Sequence, residues 1–302
     1  MVVLLAIVPS LACAQAPPAH PAKPFLWKIE GAKLTKPSYL FGTIHLGSGP
    51  LATLHPAAER AFASCDVLYT EIPMDAASQL GVVEKLVRDD GETLEEAIGE
   101  KLNKQLDAEL KLINPDLDGT PLQQLKTWAV AVTLPMLEAQ LKGEKAMDAT
   151  LWSRAQEANK ETSSIETAAS QLGLFEAFTE AEQVIMLAET MRIMKEDRVA
   201  GKNRVKELIA IYASGDADAL KKEMDKSFEE IRNGKYKALG ERLCQKLLAE
   251  RDVKMAATIG HKLAAHPDQI HFFAAGAAHF AGATSIRSQL EKQGYKVTRI
   301  TE

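Results

Sequence analysis

Two short motifs constrain this chain more than any other feature: Gly42-Thr43-Ile44-His45 near its start and Gly276-Ala277-Ala278-His279 near its end. Each closes an apolar run with a glycine and sets a histidine three residues later. A short apolar run stopped by glycine reads as a strand, and both motifs are followed by a helical pattern and then a further strand. Around the first motif, residues 25–30 and 39–44 read as strands of an opening hairpin, turned through Gly31, Lys36 and Pro37. His55-Pro56 then starts a helix reaching Ser64, since proline suits a first helical turn, and residues 66–72 read as a strand stopped by Pro73. Around the second motif, residues 270–275 read as a strand, 276–282 as a small-residue loop, 284–292 as a helix closed by Gly294, and 295–300 as a last strand. Two strand-helix-strand units at the ends of one chain predict an α/β fold: pseudo-symmetric units sharing a parallel or mixed central sheet, with both histidine loops on its carboxyl edge.

Between the units, from 74 to about 255, the periodicity is helical, strongest at 84–87, 93–112, 121–141, 148–160, 175–195, 204–213 and 217–231. This is a large helical insertion. Only residues 163–167 interrupt it as a short strand, which puts Glu166 near a strand's carboxyl end. The most apolar helix, 128–137, is broken by Pro135 and flanked by Lys126 and Glu138, so it reads as a core helix and not as a membrane span.

Residues 1–11 are an uncharged apolar run leading to Ala12-Cys13-Ala14, then Ala14-Gln15-Ala16 and a proline-rich stretch to Pro24. The pattern is that of a secretory signal peptide over 1–14, a linker over 15–24 and one domain over 25–302, hence an exported periplasmic or secreted protein without a transmembrane anchor in the mature chain. A lipoprotein signal using Cys13 is the rival, with Ser10 and Leu11 in the wrong order for it. Lys and Arg number 36 against 41 Asp and Glu, and a net charge of −5 offers no basic field for nucleic acid. Three cysteines are too few for a disulfide scaffold. Cys65 and Cys244 are candidates for one bridge after export, the other reading being two separately buried thiols.

A histidine behind a strand-end glycine can approach a metal closely, because the missing Cβ lets the backbone turn tightly beneath it. His45, His279 and one carboxylate would form a set of the kind that leaves coordination positions open for water, zinc included. Glu71, on the strand after the first helix, is the first candidate carboxylate and Glu166 the second. Whichever is not a ligand would act as general base; strand-edge geometry favours Glu71 as the ligand.

The run Phe25-Leu26-Trp27-Lys28-Ile29, the run from Ser38 to Gly47, Ile165-Glu166-Thr167 with Gln171-Leu172, and Gly276 to Gly282 resemble the TraB/GumN family, which includes the animal Tiki proteins. The resemblance covers the chain from about Phe25 onward. It implies a metal-dependent hydrolase-like fold shared with erythromycin esterase-like and ChaN-like proteins, and, through the Tiki proteins, peptidase activity with manganese or cobalt. One departure is visible: where the family often carries Arg-Asn before a methionine, this chain has Arg251-Asp252-Val253-Lys254-Met255. That leaves Asp252 without an assigned role.

Arg251 is a candidate to polarise a substrate carbonyl or steady an oxyanion, the competing reading being an ordinary ion pair. His55, His261, His266 and His271 read as structural or solvated, His271 because it begins a strand and so lies at the wrong end of the sheet. The expectation is a hydrolase of peptide or protein substrates with a divalent metal between His45, His279 and a glutamate. The alternative is an envelope protein that sequesters a peptide, haem or metal without turnover.

Overall fold

The computed structural model describes residues 20–44, 51, 53–143, 146–233 and 235–302. The signal segment 1–14 and His45 lie outside the described residues. Six strands form one mixed sheet: β1 (Leu26–Gly31), β2 (Ser38–Thr43), β3 (Val67–Thr70), β4 (Glu161–Ser164), β5 (His271–Gly276) and β6 (Tyr295–Ile300), in the order β4-β3-β5-β2-β1-β6. β2, β5, β3 and β4 run parallel, whereas β1 is antiparallel to both β2 and β6. The carboxyl ends of the four parallel strands therefore open on one edge.

The two end units do share a sheet, but they interleave instead of lying side by side. β5 inserts between β2 and β3, with Gly42 opposite Ala275 and Thr43 opposite Gly276. Small residues make that insertion possible: a Cβ on Gly42 would stand 3.0 Å from the Cβ of Ala277 and 3.1 Å from that of Phe25. β3 and β5 are buried along their whole length, as parallel strands covered on both faces must be. The polar sequence of β4, Glu161-Thr162-Ser163-Ser164, suits its place at the sheet's edge.

Helix Pro56–Ser64 follows β2, and its start is capped by the His55 side chain, which accepts from the Ala57 N–H at 3.1 Å. Helix Glu250–Ala265 buries Met255, Ala256, Ile259 and Leu263, a single stripe that packs into the sheet's core with Phe272, Phe273 and Leu290. A second core lies wholly within the insertion. There Trp128 stacks on Phe175 with ring centroids 5.0 Å apart, among Leu94, Leu106 and Leu187. The predicted helix over 128–137 is divided at Pro135 into Thr127–Thr133, a 3₁₀ turn Leu134–Met136 and Leu137–Leu141. Cys65 and Cys244 are both buried free thiols, and burial pushes the Cys65 thiol up to about 11. Among the described residues no helix is long and apolar enough to cross a membrane.

Candidate active site

Past their carboxyl ends, β3, β4 and β5 bring polar groups to one place. β3 and β4 pair through Thr70 and Ser164, and the ladder continues one step further: the Glu166 N–H donates to the Glu71 carbonyl at 2.7 Å. Glu71 and Glu166 are thereby fixed side by side. β5 contributes the Gly276 N–H and, after a 3₁₀ turn over Ala277–Phe280, His279. β2 leads to Thr43 and Ile44, beyond which His45 lies outside the described residues. The pairing of Thr43 with Gly276 brings the two motifs' strands together.

Glu71 is 5% exposed and is the hub. Its Oε1 accepts from the Gly276 N–H at 2.7 Å; its Oε2 accepts from Gln171 Nε2 at 2.7 Å and from Arg251 Nη2 at 2.6 Å. The same Arg251 Nη2 donates to Glu166 Oε2 at 2.6 Å, joined by Nε at 3.0 Å, and Nη1 donates to the Leu247 carbonyl at 3.4 Å. One guanidinium thus ties two carboxylates together. Burial alone would lower the Arg251 pKa, yet the charge of Glu71 and the hydrogen bonds and charge of Glu166 outweigh it and raise it.

His279 is held from behind. Its Nδ1 lies 2.6 Å from Asp252 Oδ1, and an Nδ1–H donating to that oxygen leaves Nε2 as the lone-pair nitrogen, 3.8 Å from Glu71 Oε1. Burial pushes the Asp252 carboxyl up, against the opposing pull of its bond to His279. Arg251 and Asp252 are neighbours on one helix, about 100° apart around its axis, so Arg251 reaches Glu71 and Glu166 while Asp252 reaches His279. Both stand on the first turn after a π-helical turn over Gln245–Ala249, closed by the Glu250 N–H donating to the Gln245 carbonyl. Such turns reset helical phase and recur at functional sites.

Three carboxyl groups, from Glu71, Glu166 and Asp252, surround one guanidinium and one imidazole. A cation would balance that acidic excess, and a buried Nε2 with its ring fixed through Nδ1 is the ordinary arrangement of a metal-binding histidine. No three His, Cys, Asp or Glu side chains among the described residues form a metal-holding group by themselves. Of the three expected metal donors, His279 and Glu71 are described, with Nε2 and Oε1 3.8 Å apart, and His45 lies outside the described residues.

Sequence reasoning places Glu71, Glu166, Arg251 and His279 in this neighbourhood, and the structure brings all four together. It missed Asp252 as the partner of His279, because the two stand 27 positions apart and only the packing of their elements brings them together. A signal for Gln171 was present: the hexapeptide Ala-Ala-Ser-Gln-Leu-Gly occurs twice, at 76–81 and 168–173, each time shortly after one of the two glutamates. His271 sits at the opposite edge, its Nε2 3.1 Å from the His266 carbonyl.

A buried carboxylate, guanidinium and imidazole cluster on the carboxyl edge of a mixed α/β sheet defines the class of protein. The chain belongs to the TraB/PrgY/gumN family, whose model matches residues 25–299. It is 23% identical to Metalloprotease TIKI2 of Danio rerio over 90% of this chain and 60% of that protein. It is also 23% identical to Metalloprotease TIKI1 of Danio rerio over 94% and 65%, and 22% identical to Metalloprotease TIKI1 of Homo sapiens over 94% and 63%. The chain therefore spans about three fifths of the length of the curated relatives it matches. No solved structure matches it.

Proposed function

We propose that this chain is an exported metal-dependent hydrolase that cleaves amide bonds in a peptide or protein. The observation that carries the reading is His279, clamped through Nδ1 by Asp252 and turning Nε2 toward Glu71 Oε1 at 3.8 Å. The relatives named metalloprotease support it. His279 Nε2, Glu71 Oε1 and His45 would hold the metal. When bound, a divalent ion supplies a Lewis acid and lowers the pKa of a coordinated water. Glu166 is anchored to Arg251 by Oε2 alone, so its Oε1 is the oxygen placed to take a proton as general base. Arg251 spends Nε and Nη2 on the two glutamates, which makes positioning them its task ahead of any contact with an oxyanion.

The test is a peptide-library digest by metal-stripped protein supplemented in turn with manganese, cobalt and zinc. Cleavage should return with at least one metal. His279→Ala should lose both metal binding and turnover, while Glu166→Gln should bind metal and lose about 10²- to 10⁴-fold in kcat. Tight metal binding by the wild type with no cleavage under any metal would overturn the hydrolase. It would favour sequestration without turnover, a reading that the commitment of Arg251 Nε and Nη2 to the two glutamates also supports.

Export rests on the uncharged run before Ala12-Cys13-Ala14. Mass spectrometry of envelope-fraction protein should find a start at Gln15 or Pro17; an intact Met1 in the cytosol would refute it.

A further inference from the structure

Beside His279 lies a cavity of about 330 Å³ that the chemistry above does not use. Its floor is the backbone and small side chains of Gly276, Ala277 and Ala278 together with His279 itself. Its roof is the helix Ala217–Asn233, which turns Leu220, Met224 and Phe228 into the space at i, i+4 and i+8. Leu208, from helix Arg204–Ser214, adds a further apolar wall. Leu220 is packed into the sheet's core, but Met224 and Phe228 remain half-buried, so an apolar stripe that would ordinarily close on protein faces open volume instead.

Among the described residues, the Arg and Glu side chains that line this cavity are paired. Arg204 pairs with Asp197 and, at 2.9 Å, with Glu230; Glu223 pairs with Lys226 at 3.5 Å. Neither is left to receive a charged guest, and desolvating an unpaired charge there would be unfavourable. A void of about 150 Å³ accommodates benzene, so this one has room for a phenyl or long aliphatic side chain with part of its backbone. Gly276, whose N–H holds Glu71, and His279 both line the cavity, so an occupant is contiguous with the candidate reacting centre.

We propose that this cavity is the specificity pocket of the site, receiving an uncharged methionine-, leucine- or phenylalanine-sized side chain of the residue that flanks the scissile amide. The assignment rests on the hydrolase reading for its catalytic consequence, but occupancy can be measured without turnover. Met224 supplies the probe, because its methyl resonance, identified by its loss in Met224→Leu, reports directly on the cavity.

Titration with N-acetyl-methioninamide and N-acetyl-phenylalaninamide should shift that resonance saturably, and the aspartate and lysine amides should not. Ser227→Phe, which fills the cavity from the roof, should abolish the shift, and Leu208→Phe does the same from the other wall should the first variant fold poorly. In the kinetic arm, peptides carrying methionine or phenylalanine beside the cleaved bond should show at least ten-fold higher kcat/KM than those carrying aspartate or lysine, and Ser227→Phe should reduce that ratio to near unity. Amides that bind at Met224 while no peptide is cleaved would support the pocket and remove the hydrolase. Peptides cleaved without preference, or amides that leave the Met224 resonance unmoved, would overturn the pocket and leave the hydrolase standing.

Discussion

The helices that follow β3 and β4 begin alike and end up in different roles. Helix Ala76–Leu86 is capped by Asp75, which accepts from the Ser78 N–H at 2.9 Å; helix Ala168–Glu176 is capped by Thr167, which accepts from the Ser170 N–H at 3.1 Å. Both then carry the same hexapeptide, so both place a glutamine one position beyond the capped serine. After β3, however, Ile72-Pro73-Met74 separates Glu71 from the cap, whereas Glu166 adjoins its cap directly. The spacer captures its own glutamine: Gln79 Nε2 donates to the Pro73 carbonyl at 2.9 Å. Without a spacer, Gln171 crosses to the neighbouring unit and donates to Glu71. Identical local sequence therefore yields a private bond in one unit and a shared one in the other, and the edge strand's unit serves the central one.

The bluntest way to break this asymmetry is Arg251→Met, which removes the guanidinium common to both glutamates. Buried carboxylates stripped of their partner typically cost about 3–5 kcal/mol, so urea unfolding should show a loss of that size. A loss below about 1 kcal/mol would mean the two units are not joined through Arg251.

A finer test sets Gln171→Ala against Gln79→Ala. Loss of a buried charge-assisted donor to Glu71 should lower stability by about 1.5 kcal/mol, and loss of the neutral bond to Pro73 by about 0.5 kcal/mol. Equal effects would say that the crossing bond has no special standing.

The smallest effect separates this edge of the sheet from the other. Burial lowers the pKa of His271 beneath its ordinary 6.5. Below that value the unfolded chain takes a proton the folded chain refuses, so stability should fall as pH drops from 6.5 toward the folded pKa. The slope should stay under about 1.4 kcal/mol per pH unit, and His271→Gln should flatten it in melts between pH 7 and 5.

Local features carried most of what could be read in advance. The apolar runs ending at Gly42 and Gly276, the proline after His55 and the glycine at 294 mark element boundaries through short-range backbone preferences, whereas the strands read over 66–72 and 163–167 end at Thr70 and Ser164, leaving Glu71 and Glu166 just beyond them. β3 stops at Thr70, earlier than the apolar pattern indicates, because Thr70 Oγ1 donates to the Ile72 carbonyl at 2.7 Å and turns the chain off the sheet. What could not be read was non-local: the insertion of β5 between β2 and β3, and the meeting of Asp252 with His279 across 27 positions. The private and shared glutamines differ only by a three-residue spacer whose path depends on the packed fold.

The π turn over Gln245–Ala249 gives the site an unusual dependence on chain length. A π turn closes its hydrogen bond one residue later than an α turn, so removing a single residue there would restore continuous α-helical phase without altering any side chain of the cluster. Helix Lys237–Cys244, whose Leu239 and Leu243 pack on the insertion's core, and helix Glu250–Ala265, whose stripe packs on the sheet's core, would then compete, and one of them would have to rotate about 100° off its core. Point substitutions test these contacts individually; a one-residue deletion would test the frame that carries Arg251 and Asp252 together, in phase with the helix before them.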